Sequence, residues 1–176
     1  MNKYNTIKQL ELNRQEMNLS KVSMEFILNI CSAIKPERIL EIGAFNGYSA
    51  LNFSLVGKEV ISLEADEENF KLAEENLNKA DCKNVKIIKG NALEVLKVLS
   101  DKFDIILIDG KKSEYKEYLD LCLRVLKENG LIFVDNTISH KDRLKEFFYY
   151  LSKSNLYFNE LNLGKGLIII SKGLRV

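Results

Sequence analysis

The chain has 176 residues, of which 46% are hydrophobic and 29% are charged, and its formal net charge is +1. This length and composition are typical of one folded domain and exclude an intrinsically disordered chain. A nearly neutral charge does not favour a general nucleic-acid binder, because that class usually carries a basic excess.

No stretch of the sequence predicts export or membrane insertion. The first residues lack the apolar core of a signal peptide, and the longest apolar runs, such as 105–108 and 167–170, are far too short to span a bilayer. Cys31, Cys82 and Cys122 show no CxxC spacing, and the helical patterns around Cys31 and Cys122 predict buried free thiols. We therefore expect a cytoplasmic protein without membrane contacts.

Short β-branched runs alternate along the chain with longer stretches of 3.6-residue periodicity. The predicted strands are 38–42, 59–63, 84–89, 103–108, 130–134, 156–161 and 166–171. The predicted helices are 20–34, 47–56, 67–80, 91–99, 114–127 and 140–153. This alternation predicts an α/β fold of the Rossmann-like, doubly wound type. Its mostly parallel seven-stranded sheet would have helices on both faces and end in a C-terminal antiparallel hairpin. Because there is a single proline and no linker or repeat, residues 1–176 are predicted to form one domain.

Ligands of such sheets bind beyond the carboxyl ends of the strands, and the first strand is followed there by a glycine loop. Gly43 and Gly47 have the spacing GxxxG rather than the GxGxxG of a dinucleotide site, and Glu41 adds a negative charge. This charge favours a cofactor that carries an ammonium group over a pyrophosphate. A tight turn without a ligand is the alternative interpretation.

Polar residues also follow the second and third strands. Glu64 lies about 20 residues beyond the glycine loop, where an acid can accept hydrogen bonds from both hydroxyls of a ribose. A solvated acid is the alternative for Glu64, and Asp66 is predicted to cap the next helix. Asn91 is predicted either to contact an adenine edge or to cap the helix that follows it.

The fourth and fifth strands end in Asp109 and in Asp135-Asn136, respectively. If these strands are neighbours, about 4.8 Å separates them, and two carboxylates and an amide oxygen converge on one point. Such an oxygen-only set suits Mg²⁺, Ca²⁺ or Mn²⁺. Alternatively, Lys111 and Lys112 neutralise the two carboxylates in a simple ion cluster.

Together, several stretches resemble the cation-dependent O-methyltransferase family of the class I S-adenosylmethionine-dependent methyltransferases, which includes catechol and caffeoyl-CoA O-methyltransferases. These stretches are LEIGAFNGYSAL, SLEAD, GNALEVL, DIILIDGKKSEY and NGLIFVDN. The resemblance implies a helical cover at residues 1–35 and a Rossmann-like core at 36–176. It also implies S-adenosylmethionine and Mg²⁺ as cofactors and the hydroxyl of a small molecule as methyl acceptor.

The resemblance further implies a set of site residues. The cofactor-binding residues would be Met17, Leu19, Glu41, Gly43, Phe45, Tyr48, Ser49, Glu64, Ala65, Asn91, Ala92 and Asp109. Asp109, Asp135 and Asn136 match the metal ligands of the family, and Lys112 matches its catalytic lysine. The metal would then lower the pKa of the acceptor hydroxyl, and Lys112 would accept its proton.

The sequence departs from the family in three ways. Lys111 stands where many members have an acid, so it rivals Lys112 as the base or reaches an anion on the substrate. The longer family loop after Asn136 is absent, and the chain has no tryptophan. We therefore expect an open acceptor site, either fitted to a bulky substrate or completed by a second subunit of a homodimer. A catechol-like acceptor is expected on chemical grounds only.

Three other functions remain open at this point. An RNA-modifying methyltransferase of the same fold, acting for example on tRNA, would be favoured by a concentrated Lys/Arg face around the pocket. An NAD-dependent oxidoreductase would leave the Asp109, Asp135 and Asn136 set unexplained. A non-catalytic cofactor-binding module would keep the fold, but its metal site would never assemble.

Overall fold

A computed structural model describes residues 2–173 of the chain; Met1 and residues 174–176 of the predicted domain lie outside the described residues. The strands are β1 Arg38–Ile42, β2 Glu59–Glu64, β3 Val85–Lys89, β4 Phe103–Ile108, β5 Leu126–Asp135, β6 Tyr157–Leu161 and β7 Leu167–Ser171. The helices are α1 Lys3–Leu12, α2 Lys21–Ile34, α3 Tyr48–Phe53, α4 Glu67–Lys79, α5 Ala92–Val98, α6 Tyr115–Val125 and α7 Lys145–Lys153.

The sheet confirms the predicted architecture. Its strand order is β3-β2-β1-β4-β5-β7-β6, in which β1 to β5 pair in parallel and β7 runs antiparallel to both β5 and β6. Helical crossovers between the first five strands allow the parallel pairing, whereas the short turn between β6 and β7 permits only an antiparallel hairpin. Strands β4 and β5 are neighbours, with Ile108 paired to Val134, which meets the condition for bringing Asp109, Asp135 and Asn136 together.

Helices cover both faces of the sheet, as the near-continuous apolar strands predict. On β1, Ile39 packs into a core with residues of α1 to α4, while its neighbour Leu40 packs into a second core with residues of α5 to α7. The run Ile105–Ile108 of β4 is fully buried, because successive side chains enter opposite cores. Beyond this buried run, β4 is followed at its carboxyl end by the polar residue Asp109.

Several predicted element boundaries were wrong: β5 begins at Leu126 rather than at residue 130, and α3 ends at Phe53 rather than at residue 56. The helix predicted at 114–127 ends at Val125, because Leu126 adopts extended backbone angles (φ −75°, ψ 134°) and pairs with Phe103 as the first residue of β5. The helix predicted at 140–153 begins only at Lys145, because Leu144 before it is not helical (φ −107°, ψ 18°). Helix α1 was not predicted as an element of its own.

The three cysteines are free and buried, as predicted for two of them from their helical patterns. Within residues 2–173, none of the helices combines the length and the apolar character that crossing a bilayer requires.

Candidate active site

The loop between β1 and α3 is tied to the tips of two neighbouring strands. Gly43 has φ +99°, and a Cβ atom at this position would lie 2.5 Å from the carbonyl oxygen of Asp109, so only glycine allows this approach. The Gly43 amide donates to the Leu63 carbonyl at 2.9 Å, and the Asp109 amide donates to the Ile42 carbonyl at 2.9 Å. The ends of β1, β2 and β4 are therefore held together by backbone contacts.

Glu64, at the end of β2, supports this loop from below. Its carboxylate accepts hydrogen bonds from the backbone amides of Phe45 at 2.8 Å and Asp66 at 2.9 Å. Each carboxylate oxygen can still accept a second hydrogen bond, so the group remains able to bind ribose hydroxyls.

Two polar residues cap the helices after β2 and β3. The Asp66 carboxylate accepts from the amides of Glu68 and Asn69 at 3.0 and 2.9 Å, which confirms its predicted cap on α4. The Asn91 side-chain oxygen accepts from the Leu93 amide at 2.8 Å, so Asn91 caps α5. Asn91 also lines the cavity described below, and its amide N–H groups remain available to a ligand.

A cavity of about 590 Å³ opens above the carboxyl ends of the strands. Ten of the predicted site residues line it: Met17, Gly43, Phe45, Glu64, Ala65, Asn91, Ala92, Asp109, Lys112 and Asn136. The structure thus brings residues from the N-terminal segment, four strand ends and the turn after β4 to one cavity.

The other five predicted residues lie beneath the cavity wall rather than on it. They are Leu19, Glu41, Tyr48, Ser49 and Asp135, and each of them is buried. Asp135 still contacts a wall residue, as shown below. The cofactor contacts predicted for the remaining four stay predictions.

Glu41 is the most deeply buried of the five. It lies on β1, is fully buried, and accepts a hydrogen bond from the Ser62 hydroxyl at 2.5 Å. Its Oε1 atom has no hydrogen-bond partner among residues 2–173. Burial raises the pKa of Glu41 to about 7, against the opposing effect of the Ser49 and Ser62 hydroxyls. Glu41 therefore adds an ionisable group directly below the glycine loop.

Tyr48 fastens the N-terminal segment to the start of α3. Its hydroxyl donates to Glu11 at 3.0 Å and accepts from the Arg14 guanidinium at 2.9 Å, and that guanidinium lies over the ring at 4.9 Å from its centre. Nearby, the Asn18 amide donates to the Asn46 side chain at 2.7 Å. These contacts position Met17 at the cavity.

At the other end of the cavity, the tips of β4 and β5 bring together the three predicted metal ligands. The Asn136 amide nitrogen donates to Asp109 Oδ1 at 2.7 Å and to Asp135 Oδ2 at 2.9 Å. The Lys112 ammonium donates to Asp109 Oδ1 at 3.0 Å. Two carboxylates, an amide and an ammonium thus converge on one point.

The two carboxylates at this point are electrostatically unfavourable in the ionised form. Burial raises the pKa of Asp109, and the Lys112 charge only partly offsets it. Burial also raises the pKa of Asp135, and the charge of Asp109 raises it further. Asp135 Oδ1 is buried and has no hydrogen-bond partner in the described part of the chain. Such a pair needs a further positive charge when both groups are ionised.

The chemistry of this set fits a hard divalent cation. All three side chains can offer oxygen atoms, because an amide is nearly symmetric in shape and Asn136 can turn its oxygen towards the carboxylates. Among residues 2–173 there is no cluster of three or more His, Cys, Asp or Glu side chains suited to a metal ion; here the third member is an amide. The alternative of an ion pair with a lysine is also present, in the contact between Lys112 and Asp109.

Lys111 and Lys112 differ in their surroundings. The Lys112 side chain is 18% exposed and points its ammonium to Asp109. The Lys111 side chain is 70% exposed, and its ammonium pairs with Glu114 at 2.7 Å. Only Lys112 is therefore held at the carboxylate cluster.

Among the cavity residues that sequence reasoning missed are Glu16, His140 and Lys165. His140 begins the helix predicted at 140–153 and was not predicted as a site residue; its Nδ1 atom lies 2.9 Å from the Ser139 hydroxyl, and its pKa is lowered by burial and by the charge of Lys112. Its position four residues after Asn136 was the available signal. Glu16 and Lys165 meet only in the folded chain, so no local pattern could identify them.

Comparison with known proteins gives a family and several relatives. A family model described as O-methyltransferase matches residues 3–146. The O-methyltransferase ankF of Aspergillus thermomutatus is 38% identical over 117 residues, which cover 62% of this chain and 49% of the relative. The catechol O-methyltransferase of Mycobacterium tuberculosis is 30% identical over 119 residues, covering 65% of this chain and 54% of that protein. The chain thus matches about half the length of these relatives.

Two solved structures share the fold at low sequence identity. The SAH-bound methyltransferase PaMTH1 of Podospora anserina has a TM-score of 0.87 at 23% identity, covering 97% of this chain and 87% of the other. The O-methyltransferase of Bacillus cereus in complex with SAH has a TM-score of 0.84 at 20% identity, covering 96% and 91%. At this level of identity the likeness concerns the fold alone.

Proposed function

The chain belongs to the O-methyltransferase family, and on that premise we propose that it transfers the methyl group of S-adenosylmethionine to a hydroxyl of a small molecule. We further propose that a divalent cation, Mg²⁺ in the simplest case, assists this transfer at Asp109, Asp135 and Asn136.

One observation carries this proposal: the cavity joins two chemically different ends. Glu64 and Asn91 lie on its wall at the ends of β2 and β3, and Asp109, Lys112 and Asn136 lie on the same wall at β4 and β5. A nucleoside-bearing cofactor at the first end would present its reactive group towards the second. This arrangement supports a transfer reaction rather than simple cofactor storage.

The proposed cofactor would supply a methyl group on a positively charged sulfur. The proposed cation would supply a Lewis acid that favours the ionised form of the acceptor hydroxyl. The residues of the chain would do the rest. Glu64 would accept hydrogen bonds from ribose hydroxyls, and Ala65, Asn91 and Ala92 would border the adenine. Much of the rate would come from aligning the acceptor oxygen with the methyl group.

Lys112 is the proposed proton acceptor. Its ammonium nitrogen already lies 3.0 Å from Asp109, at the point where the proposed metal ligands meet. Once the lysine is neutral, its nitrogen can take the proton from a hydroxyl bound at that point. Lys111 is the weaker candidate, because Glu114 holds its ammonium away from the carboxylates.

A small molecule is the acceptor we propose, with a catechol as its simplest form because two adjacent oxygens can share one cation. A cavity of about 590 Å³ lies within the range of roughly 300–1,000 Å³ that is usual for small-molecule sites. Its lining carries five carboxylates and three lysines, which is not the concentrated basic face expected of an RNA-modifying enzyme. Completion of the site by a second subunit stays a prediction.

Titration calorimetry tests the cofactor and cation assignments. S-adenosylmethionine, S-adenosylhomocysteine and NAD are each titrated into the protein with and without Mg²⁺. We expect both S-adenosyl compounds to bind and NAD to give no heat. Binding of NAD alone would overturn the assignment to methyl transfer.

A transfer assay tests the chemistry. Formation of S-adenosylhomocysteine is followed with catechol and Mg²⁺, then after addition of EDTA, for the wild type and for Asp109→Ala. We expect EDTA and the substitution each to abolish transfer. Full activity of Asp109→Ala in EDTA would remove the metal from the proposal.

A further inference from the structure

Lys165 occupies a position that the proposed reaction does not use. It lies in the turn between β6 and β7, and its half-buried side chain lines the cavity. The β7 strand is three strand positions from β1 in the sheet order, through β4 and β5. At about 4.8 Å a step, Lys165 is roughly 14 Å from the glycine loop and lies on the acceptor side.

The backbone holds the Lys165 turn rigidly against the loop that follows the predicted metal ligands. The Lys165 carbonyl accepts from the amides of Ile138 at 3.0 Å and Ser139 at 2.9 Å, and the Gly166 carbonyl accepts from Thr137 at 3.2 Å. Gly166 has φ +95°, and a Cβ atom there would lie 2.3 Å from the Ile138 nitrogen. The turn is therefore built for this close contact, which sets Lys165 at the cavity.

Lys165 differs from the other two cavity lysines in its pairing. Lys111 forms an ion pair with Glu114 at 2.7 Å, and Lys112 with Asp109 at 3.0 Å. The Lys165 ammonium donates to the backbone carbonyl of Glu16, and within residues 2–173 no carboxylate oxygen lies within 4.0 Å of it. An ammonium has three N–H donors, so two remain for a ligand.

The charge of Lys165 nevertheless reaches the acceptor site. Burial raises the pKa of Asp109 and of Asp135, and the charge of Lys165 opposes both rises; it also adds to the lowering of the pKa of His140 that burial and Lys112 cause. A ligand anchored at the carboxylate cluster would therefore extend towards an ammonium that still lacks a counter-ion.

We propose that Lys165 selects acceptors that carry a carboxylate, so that the substrate class is a hydroxylated carboxylic acid rather than a neutral diphenol. This assignment rests on the proposed function. A single negative charge matches the single unpaired ammonium, whereas a dianion would be repelled by Asp109, Asp135 and the exposed Glu16 at the same cavity.

A matched pair of acceptors tests the proposal. At neutral pH, 3,4-dihydroxybenzoate carries a negatively charged carboxylate. The amide 3,4-dihydroxybenzamide has nearly the same shape but no charge. We expect the wild type to favour the benzoate in kcat/KM by about tenfold, which is the discrimination that one charge-assisted hydrogen bond provides. Lys165→Gln should reduce this preference to within about twofold, since the amide can still donate to the Glu16 carbonyl but has no charge.

Two further variants separate charge from structure. Lys165→Arg should keep the preference, and Lys165→Glu should reverse it. Lys172→Gln is the control, because Lys172 also donates its ammonium to a backbone carbonyl, that of Leu126 at 2.9 Å, but it pairs with Glu128 at 3.6 Å and lies away from this cavity. It should leave the preference as in the wild type.

Calorimetry gives a readout that does not depend on turnover. Binding of the benzoate to the protein saturated with S-adenosylhomocysteine and Mg²⁺ should weaken about tenfold in Lys165→Gln, with S-adenosylhomocysteine binding itself unchanged. A loss of S-adenosylhomocysteine affinity instead would assign Lys165 to the cofactor and overturn the proposal. Equal use of both acceptors by the wild type, or a preference that survives in Lys165→Gln, would overturn it as well. Methylation of neither acceptor would instead refute the proposed function, and the assignment of Lys165 with it.

Discussion

The two ends of the cavity differ in hydrogen bonding and in charge. At the cofactor end, the β1–α3 loop is fixed by backbone hydrogen bonds, and the Glu64 carboxylate has a backbone amide on each oxygen. At the acceptor end, the largely buried carboxylate of Asp109 lies next to the buried Asp135, and Asp135 Oδ1 lacks a partner in the described residues. The loop and Glu64 at the first end are satisfied by the chain itself, with Glu41 Oε1 below them as the exception, while the second end carries two adjacent carboxylates.

This difference has a functional meaning. A loop whose backbone is already held by hydrogen bonds within the chain would bind a cofactor with little reorganisation. Two adjacent carboxylates, by contrast, repel each other when ionised, so a cation placed between them would stabilise the protein. Substitutions at the two ends should therefore affect different steps, and the following experiments test this from the largest expected effect on transfer to the smallest.

Lys112→Met should have the largest effect, because it removes the proposed proton acceptor. We expect kcat for methyl transfer to fall about 1,000-fold, within the range typical for a general base. Binding of S-adenosylmethionine should be unchanged, because the cofactor end does not involve this side chain. Lys111→Met is the control and should retain kcat within about twofold, as its exposed ion pair with Glu114 contributes little. If Lys111→Met proved the more damaging of the two, the roles of the lysines would have to be exchanged.

Asp135→Asn should act on the cation and on stability in opposite directions. Mg²⁺ affinity should drop about 100-fold, since even groups outside the first ligand shell affect metal affinity 10–100-fold. Without Mg²⁺ the variant should melt at a higher temperature than the wild type, because one of two adjacent buried carboxylates has become neutral.

Melting curves recorded with and without Mg²⁺ measure both effects of Asp135→Asn. Asp120→Asn, which alters an exposed carboxylate paired with Lys116, serves as control and should change neither. A variant that lost its Mg²⁺ response and also melted lower without Mg²⁺ would show that Asp135 is structural.

Sequence reasoning predicted which strand ends meet at the acceptor end, but it did not predict every side chain that lies there. Parallel strands place their carboxyl ends at one edge, so Asp109, Asp135 and Asn136 could be brought together from strand order alone. Lys165 reaches the same cavity only through the β6–β7 turn and its contacts with Ile138 and Ser139. Its position depends on tertiary packing, which no local pattern encodes.

At the cofactor end, the sequence predicted the loop but not the orientation of its single side chains. Glycine spacing predicted the loop, but the close approach that Gly43 permits is to the Asp109 carbonyl of the chain itself. Likewise, Tyr48 was predicted at the cofactor, and the structure fixes its hydroxyl between Glu11 and Arg14. Motifs identify which segments meet, whereas side-chain orientation depends on the surrounding contacts.

Glu64→Gln should weaken cofactor binding moderately. We expect the Kd of S-adenosylhomocysteine to rise about tenfold, because hydrogen bonds from ribose hydroxyls to a charged acceptor are lost. Mg²⁺ affinity should not change if the two ends are independent. Asp66→Asn is the matched control: Asp66 lines the same cavity but uses its carboxylate to cap α4, and asparagine caps a helix about as well, so affinity and stability should both stay near the wild type. A coupled loss of Mg²⁺ affinity in Glu64→Gln would contradict the separation of the two ends.

Glu41→Gln should have the smallest effect on transfer and a clear effect on the pH dependence of stability. Glu41 is fully buried, and its pKa is raised from 4.5 to about 7, mainly by burial. Between these two values the folded protein binds more protons than the unfolded chain, so the stability of the free protein falls as the pH rises from about 4.5 to about 7 and then levels off. The total change attributable to this one group is on the order of 3 kcal/mol.

Glutamine does not titrate, so the melting temperature of Glu41→Gln relative to the wild type should increase over that pH interval and stay constant above it. Thermal melts of the free proteins between pH 4 and pH 9 measure this difference, and Ser62→Ala should enlarge the fall in the wild-type background, because the Ser62 hydroxyl stabilises the ionised carboxylate. Calorimetry with S-adenosylmethionine then decides the role of Glu41 at the cofactor end. Unchanged affinity in Glu41→Gln would mean that the buried carboxylate supports the loop only. If Glu41→Gln lost affinity only above pH 7, the ionised Glu41 carboxylate would contribute to cofactor binding. The cofactor end would then also contain a buried charge that its ligand stabilises.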